Sequence, residues 1–211
     1  MNSSLIFDFD GTIADTLAEG LAIYDDIALE KGYRKIGTQD LAELRALDTT
    51  KLFKHLGIPK HKVPFLIAKA LSRIKARIRE LPLIEGMEEV LPQLREHANC
   101  FGILTSNAVE NVESFLEAHG LRDLFTFIST TSKLTGKAKH LRAIARTFSL
   151  RKKEVFYIGD EIRDLRAAHK ARINAIAVTW GFNNEQSLAK EEPRYLVHTP
   201  AELLEVVAKH S

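Results

Sequence analysis

The chain has 211 residues, 45% of them apolar and 27% charged, with a formal net charge of +2. That suits one large globular domain, or a core with a smaller insert. So small a charge calls for no nucleic acid and no membrane surface as partner, and no signal peptide or bilayer-length apolar run points away from the cytoplasm.

Ser4 to Phe9 reads as a first strand, apolar throughout and therefore central in its sheet. A helical pattern follows over Asp15 to Lys31, with Leu17, Leu21, Ile27 and Ala28 among its apolar positions. Up to about Leu81 only helices are expected: Gln39 to Ala46, Thr49 to Leu56 and Val63 to Glu80, with Pro59 and Pro64 in the turns. The basic stretch Lys69 to Arg79 reads as a solvated helix face.

After Pro82 strands and helices alternate. Helices are expected over Met87 to His97, Val109 to His119, Gly136 to Phe148, Glu161 to Ala171 and Pro200 to Ala208. Between them fall the strands Cys100 to Thr105, Phe125 to Ser129, Val155 to Ile158, Ile173 to Thr179 and Tyr195 to Val197. The lone Cys100 opens an apolar run and reads as a small buried hydrophobe. Such alternation predicts an α/β fold, a Rossmann-like, mostly parallel sheet flanked by helices. The helical stretch interrupts it, so the expected division is a core of residues 1–15 and 83–211 with an all-helical insert of 16–82 after the first strand.

In open parallel sheets, ligands bind outside the carboxyl ends of the strands. After the first strand stand Asp8 and Asp10, then Gly11-Thr12. Two carboxylates on one face of an extended segment repel unless a proton or a cation relieves them, and a hard divalent cation takes oxygen ligands. After the second strand, Thr105-Ser106-Asn107 offers a hydroxyl before a helix N-terminus, which suits a phosphate oxygen or a plain helix cap. Lys137 opens a helix, where the macrodipole disfavours it unless an anion sits opposite. After the fourth strand comes Asp160, with Asp164 one helical turn later on the same face. Each element alone has a structural reading, but their succession at four strand ends converges on one crevice.

With these residues in hand, the chain resembles the haloacid dehalogenase superfamily of phosphatases, in particular the phosphoglycolate phosphatase-like branch with a helical cap. Asp8-Phe9-Asp10-Gly11-Thr12, Ile103-Leu104-Thr105-Ser106-Asn107, Gly136-Lys137 and Gly159-Asp160-Glu161-Ile162-Arg163-Asp164 match its four motifs. Trp180-Gly181-Phe182 and Thr199-Pro200-Ala201-Glu202 also match this branch. Thr105 and Ser106 both stand at the hydroxyl position, with Ser106 taken for it, and Lys133 and Lys139 stand behind Lys137 as candidates for the lysine.

The resemblance implies hydrolysis of a small phosphomonoester, phosphoglycolate foremost, through an aspartyl-phosphate. It makes Asp8 the nucleophile and Asp10 the general acid and base. Ser106, Asn107 and Lys137 would bind phosphate, and Mg²⁺ would be held by Asp8, Asp160 and Asp10, the last through its backbone carbonyl. Asp164 would orient Lys137 or the groups around the metal rather than bind the metal itself. Trp180 reads as packing, and Arg45, Lys51, Lys54 and His55 are the candidate substrate anchors. The rival readings are a phosphosugar mutase of the same fold and a phosphoaspartate signalling or binding module.

Overall fold

The computed structural model describes residues 3–37, 40–131 and 136–210. Its centre is a six-stranded sheet of β1 (Ser3–Phe7), β2 (Ala98–Thr105), β3 (Phe127–Thr130), β4 (Val155–Gly159), β5 (Asn174–Val178) and β6 (Tyr195–Val197). The spatial order is β3-β2-β1-β4-β5-β6, and every neighbouring pair is parallel. As its apolar run predicts, β1 lies inside the sheet, with Phe7 beside Ile103 on one side and Ile158 on the other.

The alternation along β1 splits the core in two. Leu5 and Phe7 face a cluster containing Phe101, Ile103 and Phe115, whereas Ile6 faces Leu104, Tyr157 and Leu165. The helices α5 (Met87–Glu96), α6 (Val109–Ala118), α7 (Lys137–Thr147), α8 (Ile162–Ala171) and α10 (Pro200–Ala208) flank the sheet. Phe9 continues the first face beyond the strand and meets Phe115 edge-on, ring centroids 5.1 Å apart. No helix of the described residues is long and apolar enough to cross a membrane.

Between β1 and β2 the described regular elements before α5 are all helical: α1 (Leu17–Lys31), α2 (Leu41–Leu44), α3 (Thr49–His55), α4 (Val63–Arg77) and two short 3₁₀ turns. Buried Ile23 and Ile27 of α1 and Leu66 and Ile74 of α4 join the core cluster of the first sheet face. The basic stretch faces solvent as its composition predicts, with Lys75, Arg77 and Arg79 exposed, and part of it is also ion-paired. Lys69 and Arg73 both bond Glu30 of α1, and Arg77 bonds Glu19 at 2.9 and 3.0 Å. These pairs clip the two helices together.

The insert leaves and returns through one paired link. Asp15 N–H donates to the Pro82 carbonyl and Ile84 N–H to that of Ile13, both at 2.9 Å, around an antiparallel bridge between Ala14 and Leu83.

Several boundaries differ from expectation. β1 stops at Phe7 because the Phe9 carbonyl accepts from the N–H groups of Thr12, Ile13 and Ala14, which turns the chain. The expected helix from Gln39 to Ala46 is reduced to α2, with residue 39 outside the described residues. A five-residue helix, α9 (Glu185–Ala189), was not expected, although Asn184 caps it by accepting from Ser187 N–H at 3.0 Å. Cys100 is buried and unpaired, as its apolar context predicts.

Phe115 is fully enclosed under the first strand end, so Phe115→Ala should destabilise the fold by roughly 3–5 kcal/mol in a denaturant titration. Leu29→Lys, at a position 71% exposed, should stay within about 0.5 kcal/mol of the parent.

Candidate active site

The four strand ends meet. Lys137, the first residue of α7, lies with its ammonium 2.6 Å from Asp8 Oδ2 and 2.7 Å from Asp164 Oδ1. The side chains are almost wholly enclosed: Lys137 and Asp8 are 3% exposed and Asp164 0%. Asp160 follows β4 and is equally buried. Its Oδ1 accepts from the Thr12 hydroxyl at 2.9 Å and its Oδ2 from Phe182 N–H at 2.7 Å. Carboxylate oxygens of Asp8, Asp160 and Asp164 lie within 4.8 Å of one another.

Two glycines make that crowding possible. A Cβ on Gly11 would come within 2.5 Å of Asp160 Oδ2, and one on Gly181 within 2.3 Å. Gly11 also has φ of +72°, a conformation that L side chains resist.

Three carboxylates around one ammonium leave an excess of buried negative charge, and the ionisation equilibria respond. Burial pushes Asp8 well above the ordinary carboxylate range, against the opposing pull of Lys137. Burial, then the charges of Glu161 and Asp164, push Asp160 up to about 7. Burial disfavours the Lys137 ammonium, but Asp164 and Asp8 outweigh it and hold the lysine above its usual value. The donor set is hard oxygen with surplus negative charge, which fits a hard divalent cation.

Asp10 stands apart from this cluster. Its carboxylate accepts from Asn107 Nδ2 at 3.1 and 3.3 Å, and burial raises its pKa while that hydrogen bond opposes the rise. Asn107 is itself locked, its Oδ1 accepting from Ala108 N–H and Asn111 Nδ2 at 2.9 Å each. Thus Asn107, expected as a phosphate ligand, points its side chain at Asp10, and the Asp10 carboxylate is not in the acidic group, whereas Asp164 is. Thr105 is fully buried and its hydroxyl accepts from Asn107 N–H at 3.0 Å. Ser106 is half-buried and lines the crevice. Lys139 is exposed, and Lys133 lies outside the described residues.

A cavity of about 300 Å³ opens over Asp10, Gly11, Ser106 and Asp160, with Glu161 and Arg163 at its side. The helical insert supplies its far wall, with Leu21, Leu44 and Phe53 among the lining residues.

Arg45, a sequence candidate for substrate anchor, is engaged elsewhere. Its guanidinium donates to the carbonyls of Phe182 and Gly181 at 2.8 Å each. In return Asn183 Nδ2 donates to the carbonyls of Arg45 and Leu47 at 2.8 and 3.0 Å. The same Asn183 accepts from Ile162 N–H at 2.9 Å, and its own N–H donates to the Asp160 carbonyl. Residues 45–47 of the insert are thereby tied to the segment that holds Asp160. Trp180 packs against the core, and its indole N–H donates to the Thr12 carbonyl at 3.2 Å. Sequence reasoning missed the part played by Thr12, Phe182 and Asn183. Thr12 stood within the first motif and Phe182 within the Trp180-Gly181-Phe182 match, whereas nothing local marks Asn183.

Comparison with known proteins agrees with this architecture. A family model described as haloacid dehalogenase-like hydrolase matches residues 5–178. A phosphoglycolate phosphatase of Synechococcus elongatus is 36% identical over 210 residues, covering 98% of this chain and 97% of that one. One of Vibrio vulnificus is 24% identical over 230 residues, covering 96% and 95%. Among solved structures, a haloacid dehalogenase-like family hydrolase of Streptococcus pneumoniae superposes with a TM-score of 0.81 at 22% identity, covering 97% of this chain and 98% of that one. CbbY of Rhodobacter sphaeroides in complex with phosphate superposes with a TM-score of 0.73 at 18% identity, covering 96% of each chain. At those identities the two structures speak for the fold.

Removing the buried ammonium should leave the carboxylates uncompensated. In chelator-treated protein near neutral pH, Lys137→Met should lose roughly 3–5 kcal/mol of stability. The deficit should narrow on acidification, because protonated carboxyls no longer need the cation, and denaturant titrations at two pH values would show it.

Proposed function

Because this chain belongs to the haloacid dehalogenase-like hydrolase family, we propose that it is a Mg²⁺-dependent phosphatase of small phosphomonoesters, with phosphoglycolate as its substrate. The observation that carries this reading is the pair of aspartates in different settings. Asp8 is held against an ammonium at 2.6 Å, and Asp10 is held by an amide beside an open cavity. The name of the 36% identical relative, aligned over 98% of this chain, supports the substrate.

In this reading Asp8 attacks phosphorus in line with the ester oxygen. The P–O bond to the leaving group breaks as the P–O bond to Asp8 forms. Asp10, whose carboxyl is held by Asn107 beside the cavity, gives a proton to the departing alkoxide. The carboxylate left on Asp10 then takes a proton from water. The water oxygen attacks phosphorus, and the acyl-phosphate bond breaks to return Asp8 and release phosphate. Asn107 keeps Asp10 aimed through both steps. Lys137 and the Ser106 hydroxyl offset charge on the phosphoryl oxygens. Asp8 and Asp160, with the Asp10 carbonyl, would hold Mg²⁺, and Asp164 would fix Lys137 beside them. When bound, the ion offsets the negative charge gathered between nucleophile and phosphoryl group.

We read residues 16–82 as a cap and 1–15 with 83–211 as the catalytic core. A cap over the crevice keeps bulk water from the acyl phosphate. The same reading puts the enzyme in the cytoplasm, a reducing compartment that suits a chain whose single cysteine is unpaired.

Wild-type protein should release phosphate from phosphoglycolate only with Mg²⁺ present. Asp8→Asn should reduce turnover to background, and Asp10→Asn should lower kcat by at least a hundredfold. Absence of release from any of a panel of phosphomonoesters would refute the reading.

Mg²⁺ binding should also carry a pH signature. A folded-state pKa of about 7 at Asp160 lies above the unfolded value, so this group favours the metal-free fold at low pH. That contribution is lost as pH rises through about 7, and only above that value does Mg²⁺ no longer compete with a proton. The rise in Tm on adding Mg²⁺ should therefore be larger at about pH 8 than at about pH 5.5, measured by thermal shift.

A further inference from the structure

One cation beside the reacting groups has no part in the mechanism above. Arg163 lies in the first turn of α8, half-buried, and lines the same cavity as Asp10 and Ser106. One nitrogen, Nη2, donates to Glu161 Oε1 at 2.5 Å. The other two, Nε and Nη1, are buried and find no acceptor among the described residues. Buried guanidinium N–H groups without acceptors are costly, and few such groups occur in a folded protein.

The remaining walls make the point sharper. Every described residue that the insert contributes to the cavity is uncharged. Arg45 spends its guanidinium on backbone carbonyls, and Lys51 and Lys54 line only an outer cleft. That cleft, of about 1080 Å³, is lined by Lys137, Arg163 and five further cations, Lys54, Lys60 and Lys170 among them, against a single acid, Asp48. Arg163 is the one described residue other than Phe53 that lines both spaces, so the basic cleft draws anions toward it.

We propose that Arg163 is a specificity-determining residue, its unpaired N–H groups recognising a carboxylate on the leaving group of the substrate. The inference rests on the phosphatase reading above and adds to it the residue that separates a carboxylated phosphomonoester from a neutral one. A guanidinium matches the planar carboxylate, and its hydrogen bonds to that group are charge-assisted. An amide at position 163 keeps a neutral N–H donor but loses the charge and the fork, and an alkyl side chain provides neither.

The test compares phosphoglycolate with ethyl phosphate, which carries a methyl group where the former has its carboxylate. In Mg²⁺-containing buffer, wild type should favour phosphoglycolate. Arg163→Gln should lower kcat/KM for phosphoglycolate by roughly ten- to a hundredfold, through KM, and leave ethyl phosphate within about threefold. Arg163→Lys should recover part of the loss. An equal fall on both compounds, or no fall on either, overturns the proposal. So does a wild type that treats the two alike or prefers the alkyl compound, and that result needs no variant to fold. If wild type turns over neither compound, phosphoglycolate as the substrate fails separately, and the panel of phosphomonoesters decides the phosphatase reading. The proposal is then decided by calorimetric titration of Asp8→Asn with each compound. Tighter binding of phosphoglycolate that disappears in Asp8→Asn/Arg163→Gln upholds it, and equal binding overturns it.

Discussion

One buried ammonium is asked to balance three buried carboxylates. Lys137 touches Asp8 and Asp164 directly, and Asp160 stands within ligand distance of both acids. Desolvated like charges at this spacing are tolerated only where the surrounding structure over-determines them. That structure is visible residue by residue. Thr12 and Phe182 hold the oxygens of Asp160, Phe9 N–H donates to Asp8 at 2.8 Å, and the missing side chains of Gly11 and Gly181 leave room. The strain that remains is the reason the site fits a divalent cation and a phosphoryl group, two partners of opposite charge, better than it fits either alone.

The sheet and its flanking helices were legible because their signals are local. A five-residue apolar run at β4 and a 3.6-residue periodicity in α6 need no distant partner to be recognised. The strand ends were legible for the same reason, since short runs such as Gly159-Asp160 join the periodic segments. What could not be read are contacts between residues far apart in the chain. Asn107 has the composition of a helix cap or phosphate ligand, and only the fold brings Asp10 to its amide, 97 positions away. Arg45 has the look of a free cationic anchor until residues 181 and 182 supply its acceptors. Lys69, Arg73 and Arg77 of α4 do face solvent, but their acidic partners Glu30 and Glu19 on α1 could not be read from the sequence. The short helix α9 was missed because five residues hold too little periodicity to register.

The segment from residue 179 to 184 shows how a single stretch can serve both parts of the molecule. It gives Phe182 N–H to Asp160, Gly181 and Phe182 carbonyls to Arg45, and the Asn183 amide to both sides at once. Its backbone polar groups are thus satisfied by the insert and by the carboxylate site together. A change in either is felt by the other through bonds of ordinary length.

The paired link at Ala14 and Leu83 has a consequence for how such a chain can change over time. Strands β1 and β2 must find each other across the whole helical insert, and the entropy of closing that loop grows only logarithmically with its length. The bridge brings the two ends of the insert side by side at the rim of the sheet. Helices can therefore be lengthened, shortened or replaced between those two points without altering the register of β1 or the turn that carries Asp8 and Asp10. The geometry leaves β1 and its turn independent of the length of those helices, whereas the bonds between residues 45–47 and residues 181–183 have to be kept or rebuilt.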